Sequence, residues 1–317
     1  MAIRLTPLQY ADKYRRLEVY LYTEEQAQAA VGDGLPPGGE WTTVQVHSYR
    51  INLHQAYHST LTSLEAFKNV VRPHLDAQDE SITVWVKTVQ GQVVGKTYRS
   101  RKDLAENVND PFYGKGSPEE VQIVLQLAVR YGLFPRGQIQ TYCDNGNIGL
   151  DCNGFVGCYL RHVVEGMPWD TDAHTPQEVR TQFDANISIR ALLDFNHRTQ
   201  AVNSVIDVVQ SPGSPFLLLM SDEKGRVLDH FTDSDGNTSY GHVMISEPGS
   251  AHIAHNPRIP KLGLKERAMR LKVVESAGSK GLSDSYYYVL PGNDHNAFHA
   301  YRGLTDSLIW VRLAKVL

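Results

Sequence analysis

Residues 149–156 read Gly149-Leu150-Asp151-Cys152-Asn153-Gly154-Phe155-Val156, and the reading of the fold turns on them. The residues before them, Thr141–Gly149, are polar and glycine-containing and are expected to form a loop. Asp151–Val164 is expected to be a helix, because Phe155, Val156, Tyr159, Leu160 and Val163 fall on one stripe at helical spacing. Cys152 then stands at a helix N-terminus, where partial positive charge favours a thiolate. Gly149 and Gly154 are expected to let the backbone approach a substrate closely.

The chain of 317 residues holds three cysteines, Cys143, Cys152 and Cys158, all in this one segment. An odd, low count argues against a disulfide framework. Free cysteine is usually core, which suits Cys158 and Cys143. Cys152, at the opening of a helix after a polar loop, is the candidate nucleophile.

Working upstream, Ser117-Pro118-Glu119-Glu120 reads as a helix start: a Ser cap, Pro in the first turn, then acids. Val121, Val124, Leu125, Leu127 and Ala128 give that helix its apolar face, and it is expected to end near Gly132. Asn107–Gly116 is rich in turn residues and is taken as a domain boundary. Residues 1–110 are then an accessory or substrate-binding region and 111–317 the catalytic domain. In the first part, a helix is expected within Leu17–Ala30, a strand over Trp41–Val46 and a helix over Leu61–Val71. A hairpin is expected from Ser81–Thr88 and Gln92–Tyr98.

Working downstream, Glu165–Gln200 reads as an insertion, with a strand or short helix over Ser188–Phe195. Strands follow at Phe216–Met220, Arg226–Phe231, Gly241–Ser246 and Leu271–Glu275, with Tyr286–Leu290 and Leu308–Leu313 completing a sheet. Helices first and strands after indicate α+β. Asp233–Asn237 superficially resembles a calcium loop but lacks the distal Glu, so it reads as a polar hairpin loop.

A cysteine nucleophile needs a base, and His242, at the start of the Gly241–Ser246 strand, is the candidate. The segment 149–156 resembles the nucleophile motif of the NlpC-type cell-wall peptidases, Asp-Cys-Ser-Gly followed by Phe or Leu and Val. The helix Ser117–Tyr131 and the loop containing Tyr142 are similar to what precedes that motif. Gly241-His242-Val243-Met244-Ile245 resembles the family's catalytic His strand. The related CHAP amidases share the same logic.

The resemblance covers Ser117 to the C-terminus. It implies a papain-like thiol hydrolase core, with the nucleophile helix packed on an antiparallel sheet. It also implies cleavage of peptide or amide bonds in peptidoglycan stems, with Tyr142, Asp151, Asn153 and Gly241 near the substrate. Asn153 stands where the family has Ser, and the interval from Cys152 to His242 is longer than usual. The group that orients the imidazole is left open. His252 has the position of the NlpC-type polar partner, while Glu275 has the position of the CHAP acid and the better chemistry.

The formal net charge is -4, and no Lys/Arg run suggests nucleic acid. His252 and His255 lack a third ligand at useful spacing, so no metal is expected, and the reaction needs no cofactor. The N-terminal residues carry too much charge for a cleaved signal, so a cytoplasmic protein, or one exported by a route without such a signal, is expected, with no membrane insertion. Two alternatives remain at this level. One is the same Cys–His pair acting as amidase, deamidase or acyltransferase on a cytosolic substrate. The other is a non-catalytic binding module on the same scaffold.

Overall fold

The computed structural model describes residues 5–30, 34–49, 54–76, 81–165, 189–193, 199–228, 230–232, 238–255, 267–291, 296–303 and 308–317. The calcium-like stretch Asp233–Asn237 and most of the Glu165–Gln200 insertion lie outside them, although Ile189–Leu193 is a 3-10 helix. Described residues of Tyr10–Pro176 with Ser276–Leu282 form one compact unit; those of Leu5–Gln9, Gln177–Glu275 and Ser283–Leu317 form another. The units do not divide at Asn107–Gly116. That segment lies inside the first unit, and much of it is helical.

The first unit contains most of the helices. In chain order they are α1 (Pro7–Arg15), α2 (Glu24–Gln28), α3 (His54–Asp76), α4 (Arg101–Phe112), α5 (Pro118–Arg130), α6 (Ile139–Asp144) and α7 (Cys152–Glu165). Strand β1 (Leu17–Leu21) pairs antiparallel with β2 (Glu40–Val44), and β3 (Ile82–Lys87) with β4 (Val93–Tyr98). The hairpin is therefore where the alternation puts it. The helix expected over Leu17–Ala30 is not: LEVYL, β-branched and aromatic, pairs as a strand, and only the turn capped by Thr23 is helical.

Helix α5 begins with the expected capping box, in which Ser117 accepts from Glu120 N–H and Glu120 accepts from Ser117 N–H. Pro118 through Ala128 are all buried, including the polar Glu119, Gln122 and Gln126. Their partners explain it. Gln126 accepts from Trp85 N–H and donates to Trp85 O at 2.6 Å; Gln122 accepts from Lys87 N–H at 2.7 Å and donates to Lys87 O at 2.8 Å. Glu119 accepts from Val89 N–H at 2.7 Å. Three helix side chains thus satisfy alternate residues along one edge of β3 and the turn that follows it, as a neighbouring strand would.

The second unit holds β5 (Thr199–Val202), α8 (Val205–Val209), β6 (Phe216–Met220), β7 (His230–Thr232), β8 (Thr238–Tyr240) and β9 (Val243–Ser246). These are followed by β10 (His252–His255), β11 (Arg267–Ala277), β12 (Gly281–Pro291), β13 (Phe298–Arg302) and β14 (Leu308–Val316). Six strands close in the order β11-β12-β13-β14-β6-β9 and back to β11, through Val273↔Ser246 and Val274↔Ile245. The long β11 also carries β10, and β14 carries β5. Inside lie alternate residues of each strand: Leu218, Met244, Leu271 and Val273, Val289, Ala300, and Val311 and Leu313.

This corrects the α+β, papain-like expectation of a nucleophile helix packed on an antiparallel sheet. The sheet is closed into a six-stranded barrel whose inward rows fill one another, so its core needs no covering helix. Closure also removes two open edges, which an unclosed sheet of this length would have to protect.

Candidate functional site

Cys152 opens α7, as its sequence position indicates, and is 5% exposed. The helix is anchored by its apolar stripe. Phe155 and Tyr159 pack against Tyr10 and Tyr14 of α1 with ring centroids 5.7–6.3 Å apart. Tyr14 in turn donates to Gly116 O at 2.9 Å. Asp151 is the helix cap: its carboxylate accepts from Gly154 N–H and pairs with Lys115 Nζ at 3.0 Å. The charge beside the thiol is therefore compensated.

Gly154 has a purpose other than the expected one. A Cβ there would strike the Gly114 carbonyl oxygen and lie 2.8 Å from Lys115 Cα. It admits the 114–115 backbone rather than a substrate. The Tyr49 phenol neighbours Cys152 and Asp151. Tyr49 is placed by a parallel bridge to Leu150, beside a Leu150 N–H bond to Ser48 O of 2.9 Å. Burial, then the neighbouring Cys152 and Asp151, hold the Tyr49 phenol well above its ordinary pKa, so it stays a donor.

The other two thiols are core groups. Cys158 donates to Lys115 O at 3.2 Å, and burial drives its pKa far up. Cys143 is pushed up to about 12, by burial and then by Asp144. Tyr142 lies in helix α6, not in a loop, and stacks on Phe134 at 4.3 Å. Asn153 is the second residue of α7 and half-buried.

In the second unit a separate polar cluster occupies one end of the barrel interior. Glu275 continues the inward row of β11 beyond Leu271 and Val273, and it is 2% exposed. His242 Nε2 lies 3.0 Å from its Oε2. Tyr287, on β12, donates to both carboxylate oxygens at 3.1 and 3.2 Å. Arg302, opposite Tyr287 in the β12–β13 register, reaches Oε1 at 2.7 Å and is itself held by Ser283 and Ser285. Burial is the largest influence on Glu275 and opposes its charge. The His242 hydrogen bond and charge, the Arg302 charge and the Tyr287 hydroxyl outweigh it, so the carboxyl is held below its ordinary range.

His242 precedes β9 instead of starting it. Its carbonyl accepts from Met220 N–H at 2.8 Å, which ties it to β6, and Gly241 beside it is buried. Of the two candidate partners, the structure brings Glu275 to His242. His252 is exposed on β10, with its Nδ1 3.1 Å from the Ser250 carbonyl.

Sequence reasoning missed Tyr49, Lys115, Tyr287 and Arg302. The first two lie 103 and 37 positions from Cys152 in the chain, and no periodic pattern marks them. Among the described residues no group of three His, Cys, Asp or Glu is arranged to hold a metal ion, and no helix is long and apolar enough to cross a membrane. Comparison with family models, curated proteins and solved structures returned no match.

Proposed function

We propose that the protein is a cysteine hydrolase of peptide or amide bonds, with Cys152 as nucleophile and His242 as base. The observation that carries this is the pairing of His242 with the buried Glu275. An ionised carboxylate accepts only, so the proton of the pair sits on Nε2 and Nδ1 carries the basic lone pair. Tyr287 and Arg302 fix the carboxylate, which fixes the imidazole plane.

The chemistry then follows in order. Nδ1 accepts the thiol proton, and the Cys152 sulfur attacks the carbonyl carbon. The C–N bond breaks as the imidazolium protonates the leaving amine, giving a thioester on Cys152. Water, deprotonated by His242, attacks the thioester and releases the acid and the thiol. Backbone N–H groups at the start of α7 are suited to the oxyanion.

The proposed substrate class is the peptidoglycan stem peptide, which rests on the likeness of 149–156 to the NlpC-type motif. Incubation with purified peptidoglycan fragments and mass analysis of the products tests it. Cleavage is expected from the wild type and not from folded Cys152→Ala. The pH profile of Cys152 alkylation, compared with that of His242→Ala, reads whether the imidazole acts on this thiol. Full activity in Cys152→Ala would end the proposal.

A further inference from the structure

An open cleft of about 300 Å³ lies where the end of α1, β1 and the end of β3 meet the start of α5, all within the first unit. Leu17, Val89 and Pro118 supply its apolar lining, and all three are buried. Its charged lining is Lys13, Arg16, Glu18 and Lys87. Three cations thus meet one carboxylate, in a chain whose formal net charge is -4. We propose that this cleft binds a phosphate dianion, free or as the terminal group of a small phosphomonoester. The proposal goes beyond the hydrolase reading and does not depend on Cys152.

The neutral polar groups of the cleft are already satisfied by the protein. Gln122 is committed to the Lys87 backbone, and Val89 N–H to Glu119. Thr88 N–H donates to Gln92 O at 2.7 Å, and its hydroxyl accepts from Gln92 N–H at 3.1 Å. What is left for a ligand is charge. Lys87 is held in place, with Nζ 2.6 Å from Glu18 and 5.8 Å from the Trp41 ring centroid. Lys13 and Arg16 differ from it. Among the described residues neither forms an ion pair, whereas Arg15 between them is taken up by Asp12 at 3.2 Å. The acid nearest in effect to Lys13 is Glu119, which is buried, and burial raises its pKa, so it is a poor counter-charge.

The chemistry of this pair selects the anion. Lys13 and Arg16 stand three positions apart, and Arg16 N–H still donates to Asp12 O at 3.0 Å, so helical geometry brings both to one face. Arginine offers a planar fork for two oxygens, and lysine a point charge. A tetrahedral dianion engages both at once and balances both charges, whereas a single carboxylate balances one. Apolar walls focus the field of the cations into the cleft. The volume is at the small end for ligand pockets, so the group that carries the phosphate is small.

The experiment is isothermal titration calorimetry of the full chain at low salt, with inorganic phosphate, phenyl phosphate and the dicarboxylate glutarate as probes. At least one of the two phosphates is expected to bind, and glutarate to bind more weakly. Lys13→Gln and Arg16→Gln should each weaken phosphate binding about tenfold, the size of one charge-assisted hydrogen bond. Arg16→Lys, which keeps the charge and loses the fork, should fall between Arg16→Gln and the wild type. Arg16 is exposed and Lys13 half-buried, so these variants keep the fold. Lys68→Gln, a cation elsewhere in the same unit, should leave the affinity unchanged. Tighter binding of phenyl phosphate than of inorganic phosphate assigns the ester; the reverse assigns the free ion. Three results overturn the proposal. One is no heat from either phosphate up to about 10 mM. The second is glutarate binding as tightly as the better phosphate. The third is an affinity that Lys13→Gln and Arg16→Gln leave intact, or that Lys68→Gln lowers equally.

Discussion

Glu275→Gln removes one charge from the barrel end while keeping the side-chain volume. In the wild type the carboxylate is fully buried and meets His242 at 3.0 Å, Tyr287 at 3.1 and 3.2 Å and Arg302 at 2.7 Å. The amide oxygen can still accept from Tyr287, but Arg302 loses its counter-charge. Breaking a fully buried ion pair costs about 3–5 kcal/mol. Arg302 is 24% exposed and keeps Ser283 and Ser285, so solvent screening brings the cost below that range, to about 2–3 kcal/mol. At about 2–4 °C per kcal/mol for a unit of this size, the apparent Tm at pH 7 should drop by roughly 5–10 °C.

The pH dependence gives a second, sharper reading. The folded pKa of Glu275 lies below its unfolded value of about 4.3. Its contribution is therefore complete above that value and is lost as pH falls through the folded pKa. The Tm difference between wild type and Glu275→Gln should be constant at neutral pH and narrow below about pH 4. Thermal unfolding followed by circular dichroism from pH 7 to pH 3 measures both. A Tm change under about 2 °C at pH 7, or a difference that stays constant to pH 3, would refute the buried-pair argument.

Cys158→Ala should lower stability by about 1–2 kcal/mol in urea titration and leave hydrolysis unchanged, because it removes only buried contacts and one bond to Lys115 O. Gly154→Ala should cost about 1–3 kcal/mol, since the new Cβ meets the rigid 114–115 backbone, and a shift in urea midpoint reads it. In a chain beginning at Asp110, α5 should lose its native amide protection, because Gln122 and Gln126 lose the β3 edge that satisfies them. Native-like amide protection of α5 in that chain would overturn this.

What was legible from residues alone follows local pattern. The Ser117 capping box, the α7 stripe and the Ile82–Tyr98 hairpin all depend on neighbours within a few positions, and each formed where its pattern lies. Most barrel strands were legible too, because short apolar runs rich in branched and aromatic residues mark strands to be buried. Glu275 was visible as one of two candidates, from its resemblance to the CHAP acid position and because a carboxylate stabilises an imidazolium.

Pattern shows that a face or an edge needs a partner, not which partner it receives. Met244 and Val273 each signal an inward row, but nothing near either residue specifies that β9 returns to β11 and closes the sheet. Gln122 and Gln126 look like a polar face for solvent until β3 supplies its edge. Tyr49 comes beside the start of α7 only through its bridge to Leu150, and Arg302 reaches Glu275 only through the β12–β13 register. The sequence alone determined the elements and the chemistry each residue could offer. The tertiary structure decided the pairings, because they depend on contacts between residues far apart in the chain, whose energies no local window contains.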